Sequence, residues 1–575
     1  MSKTMKNVLI VITILLIILG VSIVGAVLML SGDTPSFVET PRILHLKIPS
    51  DVSDSPREGG LFDDPDDHPP LSTEITRMIY DAAKDENVTD IHFEVGTLSL
   101  GWAQYQEIRG ALKYFEESGK TCTAWSEGFD NKAFYLASAC SEIHLAPAGV
   151  SLVNGLSITQ SYYADFFEEW GIEPNFAHVG DFKSAVEPYE RTGPSESASE
   201  ATNLLLDSLY DQLLISIEQR LDLSEEEARK FINDTPITPD DVLSKKMVDK
   251  LSYRNSIFTK DNEYISTKTY LRQRRIIWDQ GYDAVAVLYA EGSIVNGDSG
   301  NSFMGGSFIG DHTLRKQINK IIEDDSVKAL VLRVNSPGGS GSASDSIWND
   351  LRRIQDSGRP VVISMGDYAA SGGYYISMGA DYIYAMPGTL TGSIGVFGGK
   401  LNLEGLYEKI GIKLHTYKRG EQSNIFSSTS NFSDSERRKY QEFLDGFYKI
   451  FVEKAAQGRD MTYDELHQVA QGRVWTGEQA LERNLVDALG GLEDAIAKAK
   501  ELAELGENDV AIRIFPKRKT ALETILDDLN KKETEVFLPI SIHSDLQQEF
   551  QKLDSILRVY QSDVVLHLPF QMEIQ

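Results

Sequence analysis

Apolar runs alternate with segments of helical spacing over two long stretches of the chain. The runs at 89–95 and 361–365 have the length and composition of buried strands, and the segment 102–118 has the apolar spacing of a helix. Repeated alternation of strand and helix is typical of α/β domains. The pattern therefore predicts two α/β domains, at 33–253 and 283–505.

An uncharged apolar stretch lies near the N-terminus, at residues 8–30. Its 23 residues exceed the ~20 that a membrane-spanning helix needs, whereas a cleaved signal sequence has a shorter apolar run of ~7–15. Lys3 and Lys6 precede the stretch and Asp33 follows it. Because positive charge marks the cytoplasmic side, we predict a cytoplasmic tip and one transmembrane helix over 1–32, with the rest of the chain exported.

Two further segments fall outside the predicted domains. The connector at 254–282 carries a basic cluster, Arg272, Arg274 and Arg275, and we predict a solvated linker helix there. A patch that faces phospholipid is the alternative for these arginines. The last segment, 506–575, has a mixed composition and is expected to form a C-terminal extension.

The two halves of the chain resemble each other at a nearly fixed offset. Matching residues lie 240 positions apart over most of the repeat and 239 apart near its start. The matches include Pro147 with Pro387, Gly155 with Gly395, Tyr135 with Tyr375, and Val88 with Val327. We infer that both domains have one fold and arose by duplication.

The halves differ at the positions that suggest chemistry. The second half has Ser371 before two glycines, between an apolar strand and an apolar helix, where the first half has Asn131 or Lys132. The first half has Lys183 where the second half has Ser423. Each half holds a polar residue that the other lacks, which is what one active site shared between the halves would leave.

A serine and a lysine can together form a nucleophile and its base. The Ser371 hydroxyl needs a base to take its proton, and the glycine turns around it contain no histidine. Lys183 can serve if burial lowers its pKa by about 3 from ~10.4, and its apolar neighbours permit that burial. Ser393 is the candidate hydroxyl that holds the lysine in place. The N–H donors for an oxyanion would come from Gly338, Gly339 and Gly372.

Composition and net charge exclude some classes of binding partner. The net charge of −30 argues against non-specific nucleic-acid binding, which needs a basic surface. The histidines are scattered, and Cys122 and Cys140 cannot form a zinc site alone. We therefore expect neither a catalytic metal nor a cofactor. Two cysteines form no disulfide scaffold, and they leave the redox compartment open.

Four motifs, in order along the chain, resemble one known family. They are GDFKSAVEPYER at 180–191, NSPGG at 335–339, GDYAASGGYYIS at 366–377 and TLTGSIGV at 389–396. Together with the segment 474–491, they closely resemble signal peptide peptidase A (protease IV) of the long, duplicated bacterial type. The resemblance covers nearly the whole chain, including the apolar N-terminal stretch.

The resemblance implies a fold and an activity. The fold would be two tandem domains similar to Clp protease and the crotonases, and the activity would be that of a serine endopeptidase with an acyl-enzyme. Ser371 would be the nucleophile and Lys183 the general base of a Ser–Lys dyad, with Ser393 positioning the lysine. Tyr368 and the pair Tyr374–Tyr375 are expected to shape the substrate pocket.

The resemblance also implies a location and partners. Members of the family are typically homotetramers on the outer, periplasmic face of the bacterial inner membrane. They degrade cleaved signal peptides and other hydrophobic peptides. For this chain we therefore expect peptide substrates, a single membrane anchor and a homo-oligomer, and no nucleic acid.

Two other functions are compatible with the sequence. An acyl-CoA enzyme of the crotonase fold would use the same glycine N–H pairs for a thioester oxyanion, although an exported domain has no access to cytoplasmic coenzyme A. A catalytically inactive membrane scaffold is the second, and the intact Ser371, Lys183 and Ser393 argue against it. Fluorophosphonate labelling and a peptidase assay would separate these functions from an endopeptidase.

Overall fold

The computed structural model describes most of the chain after residue 39. The described ranges are 40–56, 69–301, 307–506, 510–516 and 565–567. The predicted transmembrane helix and most of the predicted C-terminal extension lie outside these ranges. Among the described residues, no helix has both the length and the apolar character that crossing a bilayer requires.

Strands occur in both halves of the described chain. In chain order they are β1 (Arg42–Lys47), β2 (Val88–Glu94), β3 (Thr121–Asp130), β4 (Glu142–Leu152), β5 (Glu173–Val179), β6 (Lys250–Leu251), β7 (Tyr264–Ser266), β8 (Asp283–Glu291), β9 (Ser293–Val295), β10 (Gly300–Asn301), β11 (Ser307–Gly310), β12 (Val327–Ser336), β13 (Gly338–Ser340), β14 (Val361–Ala370), β15 (Tyr382–Ala385), β16 (Leu390–Gly392), β17 (Val396–Asn402), β18 (Val474–Thr476), β19 (Ala488–Leu489), β20 (Val510–Phe515) and β21 (Val565–His567).

Helices separate most of these strands. In chain order they are α1 (Ser72–Lys84), α2 (Trp102–Glu117), α3 (Asn131–Ala137), α4 (Ala164–Trp170), α5 (Glu187–Glu190), α6 (Glu196–Leu221), α7 (Glu225–Asp234), α8 (Pro239–Ser244), α9 (Arg254–Ile257), α10 (Thr267–Trp278), α11 (Asp311–Glu323), α12 (Gly341–Asp356), α13 (Gly372–Ser377), α14 (Glu404–Lys409), α15 (Asp434–Gly458), α16 (Tyr463–Val469), α17 (Gly477–Glu482) and α18 (Leu492–Leu502).

Two sheets share one strand order. The first runs β7-β1-β2-β3-β4-β6, and the second has β20-β8-β12-β14-β15-β19 in the corresponding places. All of these neighbours pair in parallel. The second sheet also continues through β16 and β18 from the far end of β14. The common order confirms the predicted repeat and the α/β class.

The central strands of the second sheet are apolar along almost their whole length. Val331 of β12 pairs with Val287 of β8 on one side and with Val362 of β14 on the other, and none of the three is exposed. Helix α12 packs on one face through Ile347, and α18 packs on the other through Ile496. A parallel sheet that is covered on both faces requires such continuous apolar strands, which explains the uninterrupted runs in the sequence.

A third sheet joins parts of the chain that are far apart in sequence. Its order is β10-β11-β9-β13-β21-β17-β5. Strand β5, from the first half, pairs antiparallel with β17 of the second half, from Val179 opposite Val396 to Glu173 opposite Asn402. The loop that follows β5, which contains Lys183, is thereby brought into the second half.

The connector contains the predicted helix, α10. The prediction that this helix is solvated is wrong. Helix α10 buries Tyr270 and Trp278 in the core of the first half. Arg275 forms an ion pair with Glu74 of α1 (2.6 Å), and β7 joins the first sheet beside β1. The pattern was misleading because the arginines interrupt the apolar positions. In the structure Arg274 and Arg275 face the carboxylates of Asp81 and Glu74 on α1.

The C-terminal extension contributes strands to two sheets. Strand β20 lies beside β8 in the second sheet, and β21 lies beside β13 in the third. The composition of 506–575 predicted neither strand. The second sheet thus continues past residue 505, where the predicted second domain ends.

Candidate active site

Ser371 lies at the junction between β14 and the short helix α13. Its backbone has φ 56° and ψ −110°, a conformation that costs on the order of 1–3 kcal/mol for a residue other than glycine. The Ser371 N–H donates to the Gly392 carbonyl oxygen (2.8 Å), and the Tyr375 N–H donates to the Ser371 carbonyl oxygen (2.8 Å). Backbone strain that the surrounding structure maintains in this way is typical of functional residues.

Lys183 reaches Ser371 from the other half of the chain. The Lys183 Nζ lies 2.9 Å from the Ser371 Oγ and 2.9 Å from the Ser393 Oγ. It also lies 3.1 Å from the Ser393 carbonyl oxygen. The three side chains that the sequence singled out therefore meet within one chain, although 188 positions separate the lysine from Ser371.

A short segment at 471–473 fixes the lysine loop. Its backbone accepts a hydrogen bond from the residue before the lysine (2.9 Å), and the Ser393 N–H donates to the Arg473 carbonyl oxygen (2.7 Å). The backbone of Gly472, at φ +80°, lies against the lysine, and a Cβ added to this glycine would lie 2.6 Å from the Lys183 Cβ. The segment thus holds Lys183 and Ser393 relative to each other. This segment was not predicted from the sequence, although a glycine two residues before the 474–491 motif was an available signal.

The environment of Lys183 favours an uncharged amine. Lys183 is 1% exposed, and burial lowers its pKa well below the ordinary value of 10.5. A neutral amine has two N–H groups and one lone pair. The carbonyl and hydroxyl oxygens of Ser393 can accept the two N–H groups, which leaves the lone pair for the Ser371 hydroxyl. The arrangement therefore allows the Ser371 O–H to donate to a lysine base.

Two glycine turns lie beside the serine. A Cβ added to Gly372 would lie 3.1 Å from the Gly338 Cα and 3.1 Å from the Gly339 nitrogen, so the two turns are in contact. At Gly339, with φ +154°, an added Cβ would lie 2.1 Å from a carbonyl oxygen of β9, so only glycine fits there. The Gly338 N–H donates to the Ser336 Oγ (3.2 Å). Of the glycines singled out in the sequence, Gly339 and Gly372 are thus the better candidates for oxyanion donors.

Comparison with known proteins identifies the family. The model of peptidase family S49 matches residues 114–266 and 353–506, more than half of the chain. The chain belongs to peptidase family S49. The two matched ranges lie at corresponding places in the two halves, so the family match and the structural repeat agree.

Relatives match this S49 peptidase over most of its length. Serine protease SPPA, chloroplastic, of Arabidopsis thaliana is 31% identical over 79% of this chain and 69% of its own. Protease 4 of Salmonella typhi is 33% identical over 83% of this chain and 77% of its own. Protease 4 of Haemophilus influenzae is 31% identical over 74% of this chain and 72% of its own. These matches confirm the resemblance to the signal peptide peptidase A type and support a serine peptidase of family S49.

The tyrosines near Ser371 have different environments in the S49 peptidase. Tyr374 and Tyr375 are fully buried in the core of the second half, and each hydroxyl makes one hydrogen bond (3.0 and 2.7 Å). They therefore do not line an open pocket. The sequence had led us to expect that they would. Tyr368 does line a pocket, together with Trp102 and Leu390.

A buried ion cluster connects the two halves of the peptidase behind the glycine turns. Arg333 of β12 donates to Glu107 of α2 (2.8 Å) and to Asp54 (3.1 Å). No side chain of the three is more than 2% exposed. Strand β12 leads directly into the turn at Gly338, so the cluster anchors that turn to the first half. The cluster was not predicted from the sequence, although a single arginine inside an apolar strand was an available signal.

A carboxylate on β14, the strand that leads to Ser371, forms a second connection between the two halves. Asp367 of β14 accepts hydrogen bonds from the N–H groups of Gly101 (3.1 Å), Ala103 (2.9 Å) and Gln104 (3.3 Å). These N–H groups belong to the first turn of α2, where a carboxylate is favoured by the free donors and the helix dipole. The strand that leads to Ser371 thus caps a helix of the other half.

Proposed function

We propose that this S49 peptidase is a serine endopeptidase whose dyad consists of Ser371 and Lys183. The observation that carries the proposal is the 2.9 Å distance between the Lys183 Nζ and the Ser371 Oγ. A general base must lie within roughly 2.6–3.2 Å of the group whose proton it takes, and this distance meets that requirement. Burial supports the proposal further, because it lowers the pKa of Lys183 and so favours the basic form.

The mechanism forms and then hydrolyses an ester. Ser371 gives its proton to the Lys183 amine while its Oγ bonds to the peptide carbonyl carbon, and N–H groups of Gly339 and Gly372 stabilise the oxyanion. The lysine ammonium then gives this proton to the leaving amine as the C–N bond breaks, which leaves an acyl-enzyme. Water attacks the ester with Lys183 as its base, and the products are a carboxylic acid and free Ser371.

Ser393 has the role of a positioning residue in this mechanism. Its backbone has φ 50°, and in this conformation its carbonyl oxygen and its Oγ both lie within hydrogen-bond distance of the same amine. Two acceptors on one residue orient the two N–H groups of a neutral lysine. The lone pair is then directed to the nucleophile.

We infer that the substrates are cleaved signal peptides and other hydrophobic peptides. The chain resembles signal peptide peptidase A, and this resemblance suggests the class of substrate. Apolar side chains near the site support it, because the Lys183 Nζ lies 6.0 Å from the centre of the Phe397 ring and Tyr368 belongs to an apolar cluster with Ala370 and Leu390. Apolar walls with a few polar groups are typical of binding sites for apolar ligands.

The location and domain arrangement belong to the same proposal. The domains at 33–253 and 283–505, similar to those of Clp protease and the crotonases, would lie on the periplasmic side of a bacterial inner membrane, anchored by 1–32. A disulfide between Cys122 and Cys140 supports export, since disulfides persist in oxidising compartments and are rare in the cytosol. The repeated strand order supports the tandem arrangement.

We also propose that the peptidase forms a homotetramer. Helix α14 lies against the end of α4, where Gly405 approaches Gly171. On α4 the rings of Phe166 (54% exposed) and Trp170 (46% exposed) lie 6.2 Å apart, and Ile410 at the C-terminal end of α14 is 59% exposed. Exposed apolar residues this close together are typical of interaction surfaces. The mass of the purified full-length protein in detergent gives the number of chains.

The dyad is tested with a hydrophobic peptide substrate and purified full-length protein. Ser371→Ala and Lys183→Ala should each lower kcat/KM by roughly 10⁴-fold or more, because members of a catalytic dyad act as a unit. Ser423→Ala, at the position that matches the lysine in the repeat, is the control and should keep full activity. A fluorophosphonate should label the parent protein and not the Ser371→Ala variant. Full activity of either dyad variant would contradict the proposal.

A further inference from the structure

Helix α2 of the first half begins at a residue that has no side chain with which to cap it. The N-cap residue is Gly101. The matching residue of the second half is Ser340, at the offset of 239 positions that holds near the start of the repeat. The Ser340 hydroxyl accepts the Ala343 N–H in the first turn of α12 (3.3 Å). The two halves therefore satisfy the start of the same helix in different ways.

Asp367 supplies the missing cap from the other half of the chain. Its carboxylate accepts the N–H groups in the first turn of α2, and the residue is 8% exposed. Glycine at 101 makes room for it, because a Cβ there would lie 2.0 Å from the Asp367 Cγ. At the place of Asp367 the first half has Gly128, which has no carboxylate to offer. The contact is thus one-sided, and it connects α2 to the strand that leads to Ser371.

Asp367 lies in the middle of a bulge in β14. On either side of the bulge β14 pairs with β12, but three residues of β14, 366–368, stand opposite one residue of β12. A bulge bends its strand and re-aims the residues that follow, which here include Ser371. Beyond the bulge, Ala370 pairs with Gly392 of β16, whose carbonyl oxygen accepts the Ser371 N–H. The conformation of the bulge therefore decides where Ser371 lies.

Side-chain hydrogen bonds hold the bulge at three points. The Tyr368 N–H donates to the Asn335 Oδ1 (3.1 Å), and the Thr389 Oγ1 donates to the Gly366 carbonyl oxygen (2.8 Å). Both of these bonds lie within the second half. The third point is the Asp367 carboxylate, and of the three it is the one that reaches the first half. The start of α2 is therefore an external support for the strand of the nucleophile.

The charge of Asp367 suits this contact. Burial raises the pKa of Asp367 to about 7, with a smaller contribution from Asp54. Three groups act in the opposite direction: the Gln104 N–H, Arg333 and Lys132. Above that pH the ionised carboxylate faces backbone N–H donors at the positive end of a helix dipole, which favours the negative charge. Hydrogen bonds to an ionised acceptor are stronger than neutral ones, so the ionised form holds α2 more firmly.

We propose that Asp367 is a positioning residue, which holds the bulge of β14 against α2 and thereby keeps the Ser371 Oγ within reach of the Lys183 amine. The inference rests on the proposed peptidase function for the reaction and on the contacts of Asp367 for the positioning. A displacement of about 1 Å can lower a catalysed rate roughly 100-fold. Loss of the carboxylate should therefore lower kcat although both members of the dyad are still present.

Two substitutions of Asp367 in the full-length protein measure the effect. At about pH 8.5, where the carboxylate is ionised, Asp367→Ala should lower kcat roughly 100-fold with KM unchanged. Asp367→Asn keeps one side-chain oxygen for the N–H groups of α2 and should lower kcat only roughly tenfold. The rate at which a small fluorophosphonate labels Ser371 should fall in parallel. This probe does not need the pocket that Asp367 lines together with Tyr368.

A replacement cap separates positioning from helix stability. In the double variant Gly101→Ser/Asp367→Ala, the new hydroxyl can cap α2 as Ser340 caps α12, and the absent carboxyl group leaves room for it. The urea midpoint should return towards that of the parent protein, whereas kcat and the labelling rate should stay roughly 100-fold low. For the urea curves every protein also carries Ser371→Ala, which prevents self-digestion.

Asp130→Ala is the matched control. The Asp130 carboxylate caps α3, where it accepts the Ala133 N–H (2.7 Å), and it belongs to a strand of the first half. Its loss removes a helix cap without touching the strand that leads to Ser371. The urea midpoint should therefore fall, while kcat and the labelling rate should equal those of the parent protein.

The possible outcomes distinguish this inference from the proposed function. An unchanged kcat and labelling rate in Asp367→Ala overturns the inference, while activity of the parent protein still supports the peptidase. Recovery of kcat in the double variant also overturns it, since Asp367 would then be a helix cap alone. So does a higher KM with an unchanged labelling rate, which would assign Asp367 to substrate binding. A parent protein that reacts with the fluorophosphonate but hydrolyses no peptide removes the peptidase function, and the labelling rates still decide the role of Asp367.

Discussion

Replacing Lys183 with methionine should raise the stability against urea, relative to the lysine protein, by an increment that grows as the pH is lowered. In the folded protein, burial holds the pKa of Lys183 well below 10.5. In the unfolded chain, the same amine has a pKa of ~10.4. Between these two pKa values the unfolded chain binds a proton that the folded protein does not. The stability of the lysine protein therefore falls as the pH falls through this window, and methionine has no such dependence.

The size of the effect follows from the burial of the amine. Each pH unit inside the window corresponds to about 1.4 kcal/mol of difference between the two proteins. Solvent screening does not reduce this value, because Lys183 is 1% exposed. Between about pH 9.5 and about pH 8.5 the difference in the free energy of unfolding should therefore grow by about 1.4 kcal/mol. The growth stops at the folded pKa, so the curve also measures that pKa.

Urea unfolding, followed by tryptophan fluorescence at a series of pH values, measures the difference. Both proteins carry Ser371→Ala, so that self-digestion does not distort the curves. Lys413→Met, at a lysine whose side chain is 78% exposed, serves as the control for loss of a surface lysine. A difference for Lys183→Met that stays constant over the series would refute the reasoning, since Lys183 would then titrate alike in both states.

Two further substitutions test the residues that support the site. Gly472→Ala places a methyl group 2.6 Å from the lysine Cβ, at a backbone φ of +80°. The displaced lysine should lower kcat roughly 100-fold with a small change in KM. Gly446→Ala is the control, because a Cβ there has no neighbour within 4 Å, and it should leave both constants unchanged. Steady-state kinetics on the two variants decides this, and equal constants would contradict the proposed contact. Arg333→Met leaves two buried carboxylates unpaired and should cost about 3–5 kcal/mol in urea unfolding. The exposed ion pairs of Arg229 are the comparison, and Arg229→Met should cost less than ~1 kcal/mol; similar losses would show that the buried cluster has no special role.

The sequence predicted those parts of the fold that depend on side-chain periodicity. The apolar run at 361–365 is the first half of β14, which is buried on both faces. The strand continues to Ala370 through the polar Asp367, and this extension was not predictable. Its reason lies in another part of the chain, because Asp367 accepts the free N–H groups at the start of α2.

The members of the candidate site were predictable for a different reason. Comparing the repeats singled out Ser371 and Lys183 without any geometry, since each is missing from the other half. The supporting residues Gly472 and Arg333 act through contacts with residues that are distant in sequence. A glycine beside a motif and an arginine inside an apolar strand mark the two positions, but no local pattern names their partners. Strand β21 is a further case, because its pairing with β13 uses backbone atoms that every residue has.

The pairing of β5 with β17 has a consequence for the evolution of the chain. Backbone hydrogen bonds within a single polypeptide bring a lysine from one repeat to a serine from the other. Every polypeptide then carries the two residues in a fixed one-to-one ratio, whatever the number of copies in an assembly. The first repeat then needs no serine at the place of Ser371, and the second needs no lysine at Ser423. Each repeat supplies one member of the proposed dyad, and one gene encodes both.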